Sequence, residues 1–365
     1  MEFIRENILK IITIIVVFIV VIVLFTIFSG AKGGSKIKTY SQLEERLVSS
    51  AKKYLNDNPK LVPSRDGETI KVNLDTLVNA EYIDKIYSIE DENIECSGYV
   101  QVVYNNESND YIPYIKCGKY YETKTIADYI KGNEQISTTD DGLYQNGDKY
   151  VFKGENPNNY LKLGERIYRI IEINNKNELR LISTEKYSNY IVWDDRYNIE
   201  RDRNDGINDY SKSRLKDSLE NIYTDSEFFS KQEKEKIIEH NVCIGKKSIN
   251  DYSIDGSVEC SAEYPNQRVS LLQLNEYARA SIDPNCKDTN SKSCSNYNYF
   301  ESINSVHRTI TAVLDNTYQV YYISDGIVSV TRAASSFSIY PVVYIDSSSI
   351  YNSGNGTLEK PYVVR

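Results

Sequence analysis

The longest hydrophobic run of the chain lies near its start. Residues 11–28 carry no charged side chain, and only Thr13 and Thr26 interrupt a series of Ile, Val, Leu and Phe. A helix of this length spans ~27 Å, about the thickness of a bilayer core. Because the run is apolar on every side and longer than a signal-peptide core, we predict a retained transmembrane helix, with cleavage near Ser29-Gly30-Ala31 as the alternative.

Two segments beyond this run show helical periodicity. After a glycine-rich tether at 29–38, apolar residues recur on one face of "YSQLEERLVSSAKKYLNDNPK", which predicts an amphipathic helix with Ser41 as its N-cap and Pro59 beyond its end. The same spacing in "LDTLVNAEYI" predicts a second, short helix. Each helix has an apolar face to bury, and we expect both to pack on the strands that follow.

A β-hairpin follows these helices. The segments "CSGYVQVVY" and "NDYIPYIKC" both read as strands, and the loop between them is 105–108. In this register a Cys96–Cys117 disulfide would lie on the apolar face of the hairpin. Pro113 needs an edge or non-donating position there, because proline has no backbone N–H. Together with the helices, the hairpin predicts a compact α+β domain at 39–125.

The remaining two thirds of the chain predict a second α+β domain, at 143–365. Residues 126–142 are polar and turn-rich and are expected to form a linker, with the boundary near Thr138. Alternating strands come first, helices interrupt them, and strands return near the end, where Asp325-Gly326 is a tight-turn motif. We expect one principal antiparallel sheet. Its strands include "RIYRIIEI", "ELRLIST", "YQVYYI" and "YPVVYID", and the helices include "SKSRLKDSLENIYTD" and "SLLQLNEYARAS".

The cysteines indicate the compartment. All six follow the apolar run: Cys96, Cys117, Cys243, Cys260, Cys286 and Cys294. An even number on one side of a membrane span is typical of a disulfide framework in an oxidising space. Besides the hairpin pair, sequence neighbours would form two further disulfides, each closing a polar loop. The second pair would be Cys243–Cys260 and the third Cys286–Cys294.

The charges along the chain argue against one class of ligand, but they do not determine the orientation of the membrane span. The net charge of −9 at pH 7 argues against nucleic-acid binding, which needs a concentrated basic surface. Basic residues flank both ends of the apolar run and do not decide its orientation. We therefore predict a cytoplasmic segment at 1–10, a helix in the plasma-membrane bilayer at 11–28, and an extracellular C-terminal part.

The first third of the chain resembles the pilin-like head regions of membrane-anchored surface proteins of Gram-positive bacteria. The resemblance is one of layout: a hydrophobic helix, an amphipathic helix ending "AKKYLNDNPK", and a hairpin with cysteines at both ends. It implies a small stalk domain at the cell surface. The chain lacks the Gly-Phe-Thr-Leu-x-Glu processing motif of type IV prepilins, and its tether interrupts what would be one continuous pilin helix, which argues against a polymerised pilus.

Residues 145–365 resemble a domain common in Gram-positive surface proteins. The blocks that carry this resemblance are "ERIYRIIEINNKNELRLI", "LLQLNEYARAS", "RTITAVLDNTYQVYYISDG", "YPVVYID" and "SGNGTLEKPYVVR". The order of elements is similar to the C-type-lectin-like fold of lectins and sulfatase-modifying enzymes. The resemblance implies a fold and carries no activity with it.

Two places carry candidate chemistry, and the first is His307 in "SVHRTIT". It would act as a general base if a serine such as Ser270 and an acid approached it. No Gly-x-Ser-x-Gly motif occurs to support such a triad. No Cys-x-x-Cys motif occurs either, and His240 is the only other histidine, so a zinc site is not expected.

The second place is the acidic segment "VWDDRYNIERDRNDGIND", at 192–209. Trp193 and Tyr197 would form an aromatic platform for a ligand, or Trp193 would fill the core beneath the sheet. Asp194 and Asp195 belong to a carboxylate cluster that would bind calcium. The spacing does not match an EF-hand loop, and interspersed arginines would neutralise the carboxylates, so a solvated, salt-bridged loop is favoured over a calcium site.

These features favour a non-enzymatic, single-pass cell-surface protein whose distal domain binds a glycan or protein partner through its loops. Two alternatives remain open: a surface hydrolase or wall-processing enzyme centred on His307 and the acidic segment, and a pilin-like structural subunit. No cofactor is expected, and calcium is kept only as an alternative.

Overall fold

A computed structural model of the protein describes residues 39–65, 68–105, 108–286, 296 and 298–365. The chain divides into two compact units, one that ends at Glu122 and one that runs from Thr123 to Arg365. Both units combine helices with antiparallel strand pairs. The mixed α+β class predicted from the sequence is therefore confirmed.

The predicted transmembrane helix at 11–28 lies outside the described residues, as do the predicted cytoplasmic segment and the tether. Within the described ranges, the structure contains no helix that is both long enough and apolar enough to cross a bilayer.

The first unit packs one long helix on a four-stranded sheet. Leu47, Ala51 and Leu55 of the helix share a core with Val100 and Val102 of the sheet. The sheet is antiparallel, in the order β1-β2-β3-β4. The helices are α1 (Tyr40–Asp57) and α2 (Leu74–Asn79), and the strands are β1 (Thr69–Asn73), β2 (Ser97–Asn105), β3 (Ser108–Cys117) and β4 (Tyr121–Glu122).

The hairpin has the predicted register. Val100 pairs with Pro113, and the Cys96–Cys117 disulfide is formed, with 4.2 Å between the Cα atoms. Pro113 has no ladder partner on the side of β4, because β4 pairs only with Lys116 and Cys117. The strands extend further than predicted and pair Asn105 with Ser108, so the connection is shorter than four residues.

Two boundaries differ from the sequence prediction. The N-cap of α1 is Thr39, whose Oγ1 accepts a hydrogen bond from Gln42 N at 3.3 Å, and Ser41 lies inside the first turn. The expected linker at 126–142 contains a helix with a buried apolar face, and this helix belongs to the second unit. Tertiary burial stabilises this short helix in a segment whose composition is polar.

The second unit contains four helices and most of the strands in the described chain. Its helices are α3 (Ile126–Asn133), α4 (Arg214–Thr224), α5 (Lys231–Lys236) and α6 (Leu274–Arg279). Its first strands are β5 (Gly142–Asn146), β6 (Lys149–Lys153), β7 (Tyr160–Leu163), β8 (Arg166–Ile173), β9 (Leu179–Ser183), β10 (Ser188–Val192), β11 (Ile237–Ile238), β12 (His240–Cys243) and β13 (Glu263–Gln267). The remaining strands are β14 (Val269–Ser270), β15 (Val306–Ala312), β16 (Gln319–Ser324), β17 (Ile327–Arg332), β18 (Ser336–Ile339), β19 (Val342–Ile345), β20 (Tyr351–Ser353) and β21 (Tyr362–Val364).

One ten-stranded sheet organises this unit. Its main path is β11-β19-β9-β8-β7-β21-β20, with β14 paired to β19, β6 to β8, and β5 to β6. Its pairs are antiparallel except for β21 with β7, which is parallel. The last strand of the chain therefore lies beside β7, one of the first strands of this unit. The central strand β9 pairs with β8 on one side and β19 on the other. All of its residues are buried, on both faces of the sheet.

Smaller sheets lie beside this large one. The three strands β15, β16 and β17 form an antiparallel meander, and β10 pairs with β18. The predicted Asp325-Gly326 turn joins β16 to β17, with φ values of 50° and 77°. Two successive residues with positive φ define the type I′ turn that Asp-Gly favours. Loops next to these short strands are joined to one another by hydrogen bonds.

Candidate functional site

Three loops of the second unit meet at one surface, which we call the loop surface. They are the segment 193–213 between β10 and α4, the segment 244–258 after β12, and the 313–318 turn between β15 and β16. Hydrogen bonds between the loops join all three: Lys246 Nζ donates to Asn208 Oδ1 at 2.7 Å, and Asn208 N donates to Thr317 O at 2.9 Å. The loop surface contains the acidic segment singled out in the sequence.

Asp194 orders the first loop. Its carboxylate is fully buried and accepts hydrogen bonds from the backbone N–H groups of Arg196 at 3.0 Å, Ile207 at 3.1 Å and Arg214 at 3.3 Å. The Arg196 guanidinium also donates to it, through Nε to Oδ2 at 2.8 Å. A carboxylate engaged by this many donors closes the loop on itself and on the start of α4, and it is not free to bind a ligand.

Gly206 allows the chain to close around this carboxylate. Its φ of 82° lies in the left-handed region, and a Cβ there would approach the Asp194 backbone oxygen to 2.1 Å. Only glycine fits both the backbone conformation and the close approach.

Two buried asparagines fasten the first loop to the 313–318 turn. Asn208 Nδ2 donates to the backbone oxygens of Val313 at 2.8 Å, Asn316 at 3.0 Å and Gln319 at 2.7 Å. Asn198 Nδ2 donates to Gly206 O at 2.7 Å and also to Thr317. Side-chain amides therefore satisfy backbone groups that a loop would otherwise leave to water.

The second loop is tied down at its base and at its tip. The Cys243–Cys260 disulfide, predicted from the sequence, closes its base, with 4.5 Å between the Cα atoms. At its tip, Asp315 accepts hydrogen bonds from Ile249 N at 2.7 Å and Ser248 Oγ at 2.9 Å. The three loops thus form a rigid assembly.

Apolar side chains project from this rigid assembly into solvent. Ile199 is 89% exposed and Leu314 is 61% exposed, and Tyr197 is about half exposed. Ile249 and Tyr252 of the second loop are also exposed. Apolar side chains held at the surface by an ordered loop framework are typical of a contact surface for a partner.

The structure separates the predicted binding residues Trp193, Asp194, Asp195 and Tyr197. Trp193 is fully buried and packs edge-on against Tyr210, with ring centroids 6.2 Å apart, so it lies in the core. Asp195 is half exposed, in a 2.5 Å ion pair with Arg214. Tyr197 is the exposed member of the predicted aromatic pair.

Asp205 is the second buried carboxylate of the first loop. Arg201 and Arg203 donate through Nε to its Oδ2 at 3.1 and 2.7 Å, and Arg332 donates through Nη1 to its Oδ1 at 3.0 Å. Burial of Asp205 opposes its ionisation, but hydrogen bonds from Arg203, Arg201 and Arg332 outweigh that effect and lower its pKa to about 2. Asp205 is therefore a carboxylate at physiological pH.

These contacts bear on the alternative of a calcium site in the first loop. Arginines occupy the carboxylates of Asp194, Asp195 and Asp205. In the part of the chain that the structure describes, no group of three or more His, Cys, Asp or Glu side chains is placed to hold a metal ion. The arrangement matches the salt-bridged loop that the sequence favours.

His307 lies away from the loop surface, in β15, and is almost fully buried. Its Nε2 is 3.0 Å from Phe300 O, and the rings of Tyr277, Phe300 and Tyr340 lie around it, with centroids about 6 Å away. Burial lowers its pKa to about 4, although contacts with backbone oxygens partly oppose this.

Ser270, the predicted partner of His307, forms its hydrogen bond with another residue. Ser270 in β14 donates to Val342 O at 3.4 Å, and no hydrogen bond joins it to His307. Among the described residues, the hydrogen bonds of the histidine ring involve no carboxylate and no hydroxyl. The structure therefore does not assemble the triad that the hydrolase alternative requires.

Cys286 is not a free thiol, and its predicted partner, Cys294, lies outside the described residues.

Several residues of the loop surface were missed in the sequence. Asn198 and Asn208, and Arg332 beside the loop surface, carry no local motif, and each has a partner more than 100 residues away along the chain. The one local sign was the density of arginines in "RYNIERDR", which the sequence analysis interpreted as charge neutralisation. The contact between Arg332 and Asp205 appears only in the folded chain.

Comparisons with known proteins do not identify a relative. No protein-family model, no curated protein and no solved structure matches this chain. The functional argument therefore depends on the geometry of the loop surface.

Proposed function

We propose that the protein is a non-enzymatic, single-pass cell-surface protein whose second unit binds a glycan or protein partner through the loop surface. Residues 11–28 hold it in the plasma membrane, with residues 1–10 inside and the remainder outside. The pilin-like and C-type-lectin-like resemblances remain part of this proposal, as descriptions of a stalk and a distal binding domain.

The observation that carries the proposal is the exposure of Ile199 and Leu314 on loops fixed by buried polar contacts. Exposed apolar side chains on mobile loops would collapse onto the surface, whereas here Asn198 and Asn208 hold the backbone beneath them. Such an arrangement loses little conformational entropy on binding, which favours recognition. Disulfides in the described chain support an oxidising compartment.

Photo-crosslinking tests the binding surface. With a photo-crosslinking amino acid in place of Leu314 in the full-length protein in its native membrane, we expect an adduct whose mass and peptide or sugar content identify the partner. The additional substitution Ile199→Ser should reduce the adduct yield, because it removes apolar contact area from the same surface.

The matched control places the same amino acid at Leu358, which is similarly exposed but lies in the turn before β21. Equal adduct yields from positions 314 and 358, or no adduct from position 314, would contradict the proposed surface.

Thiol alkylation tests the compartment. In protein extracted from its native membrane, we expect all six cysteines to react only after reduction, which intact mass measures directly. Six alkyl groups without prior reduction would place the chain in a reducing compartment and overturn the cell-surface assignment. The same mass reports whether residues 1–30 are retained.

A further inference from the structure

Three arginines share one carboxylate at the edge of the loop surface. Arg201 and Arg203 come from the first loop, and Arg332 ends β17, yet all three donate to Asp205. We call Arg201, Arg203 and Arg332 the arginine cluster. One guanidinium suffices to pair a single carboxylate, so the ion pair alone does not account for three.

The outer parts of these guanidiniums are available. Arg201 and Arg203 use only Nε on Asp205, and Arg332 uses only Nη1. Their other guanidinium nitrogens make no hydrogen bond to any residue that the structure describes. The side chains are 36%, 52% and 54% exposed in that order, whereas Asp205 is 2% exposed. The carboxylate therefore lies beneath the cluster, and the free N–H donors face outward.

Two other acids lie close by and have different partners. Glu200 accepts hydrogen bonds from Thr317 Oγ1 at 2.6 Å and Thr317 N at 3.1 Å, and Asp202 accepts one from the Tyr197 hydroxyl. Neither forms an ion pair within 4.0 Å with the arginine cluster, by the described contacts. Asp205 is therefore the only carboxylate in direct contact with the cluster among the described residues, while Glu200 interacts with Arg201 at longer range.

We propose that the arginine cluster binds a phosphate group of the surface partner. The inference rests on the proposed function, since it names the chemistry that the partner presents to the loop surface. A phosphate carries several oxygens at tetrahedral positions and so accepts from more than one guanidinium at once, with more acceptor oxygens than the two of a carboxylate. Fixed positions of the arginines favour the multidentate anion.

The neighbouring aromatic and apolar groups fit a phosphate carried on a larger molecule. The Arg201 guanidinium lies 4.6 Å from the centroid of the Tyr318 ring, which orients it. Tyr197 and Ile199 lie in the same loop and are exposed. A phosphate mono- or diester would place its charge on the arginines and its organic part against these side chains.

Calorimetric titration of the purified full-length chain tests the site. The probes are inorganic phosphate, dimethyl phosphate and acetate, all at constant ionic strength because salt screens exposed charges. We expect saturable binding of a phosphate probe and a dissociation constant roughly tenfold or more larger in the double variant Arg203→Gln, Arg332→Gln. Arg201 remains in that variant to pair with Asp205. Tighter binding of dimethyl phosphate would indicate a diester ligand, and tighter binding of inorganic phosphate a monoester.

The matched control is Arg214→Gln, which removes a similarly exposed arginine from its ion pair with Asp195. Phosphate binding should be unchanged in this variant. Absence of saturable phosphate binding, acetate binding as tight as phosphate, or equal weakening in both variants would overturn the inference. Thermal unfolding of each variant without ligand identifies any loss of fold. None of these measurements uses the partner. Their outcome is therefore independent of the crosslinking at position 314, which tests the proposed function itself.

Discussion

Replacement of Asp194 by Ala is expected to lower the free energy of unfolding of the second unit by about 3–5 kcal/mol. The carboxylate is fully buried and accepts backbone N–H groups from Arg196, Ile207 and Arg214. Alanine would leave these donors without a partner and would leave the Arg196 guanidinium uncompensated. The first loop would lose the group that closes it, so the loop surface would loosen as stability falls.

Asp195→Ala is the matched control, because the same chemical change is made one residue away. Asp195 and its partner Arg214 are both about half exposed, and exposed ion pairs contribute on the order of 1 kcal/mol or less. Trp193 is the only tryptophan and is fully buried, so its fluorescence in a urea titration reports on the second unit. Similar losses in the two variants would mean that Asp194 does not organise the loop as described.

The hairpin of the first unit could be predicted in detail because several local constraints agree. The alternation of "CSGYVQVVY" and "NDYIPYIKC", the turn length and the position of both cysteines all specify one register. A shift by one residue would move the whole apolar set to the other face. The structure has that register, and Val100 pairs with Pro113 as expected.

The helix boundaries show where local patterns are insufficient. Both Thr39 and Ser41 are good capping residues, and the choice between them depends on where the chain turns into the helix. The helix Ile126–Asn133 was missed because its few apolar residues lie in a polar stretch. Its burial against the second unit decides its conformation, and that burial is not visible in eight residues.

The loop surface was the least predictable part. Asp194 and Asp195 are adjacent and chemically identical, yet one is fully buried and the other is half exposed. Trp193 points into the core, whereas Tyr197 points outward, so the predicted aromatic pair does not form. These outcomes depend on contacts between distant segments, and the sequence could identify only the segment that contributes them.

The stability of the second unit is expected to fall as the pH decreases from about 6.5 to about 4, in part because of His307. Its pKa in the folded chain is lowered to about 4 by burial among aromatic rings, against 6.5 as the ordinary value. The unfolded chain therefore takes up the proton first, and the stabilisation present above pH 6.5 is lost as the pH falls. The expected loss is about 3 kcal/mol by pH 4.

His307→Gln separates this structural role from a catalytic one. Glutamine keeps an N–H group near Phe300 O but does not titrate in this range, so the variant should show a flatter pH dependence of unfolding between pH 7 and pH 4. Burial also lowers the pKa of His240, to about 3, so His240 makes a second contribution to the loss of stability in acid. The variant His240→Gln measures this contribution. Only two histidines occur, so their ring protons can be assigned and titrated by NMR. A His307 signal that titrates near pH 6.5 would contradict its burial, and a His307→Gln variant that folds normally but loses a detected hydrolytic activity would restore the enzyme alternative.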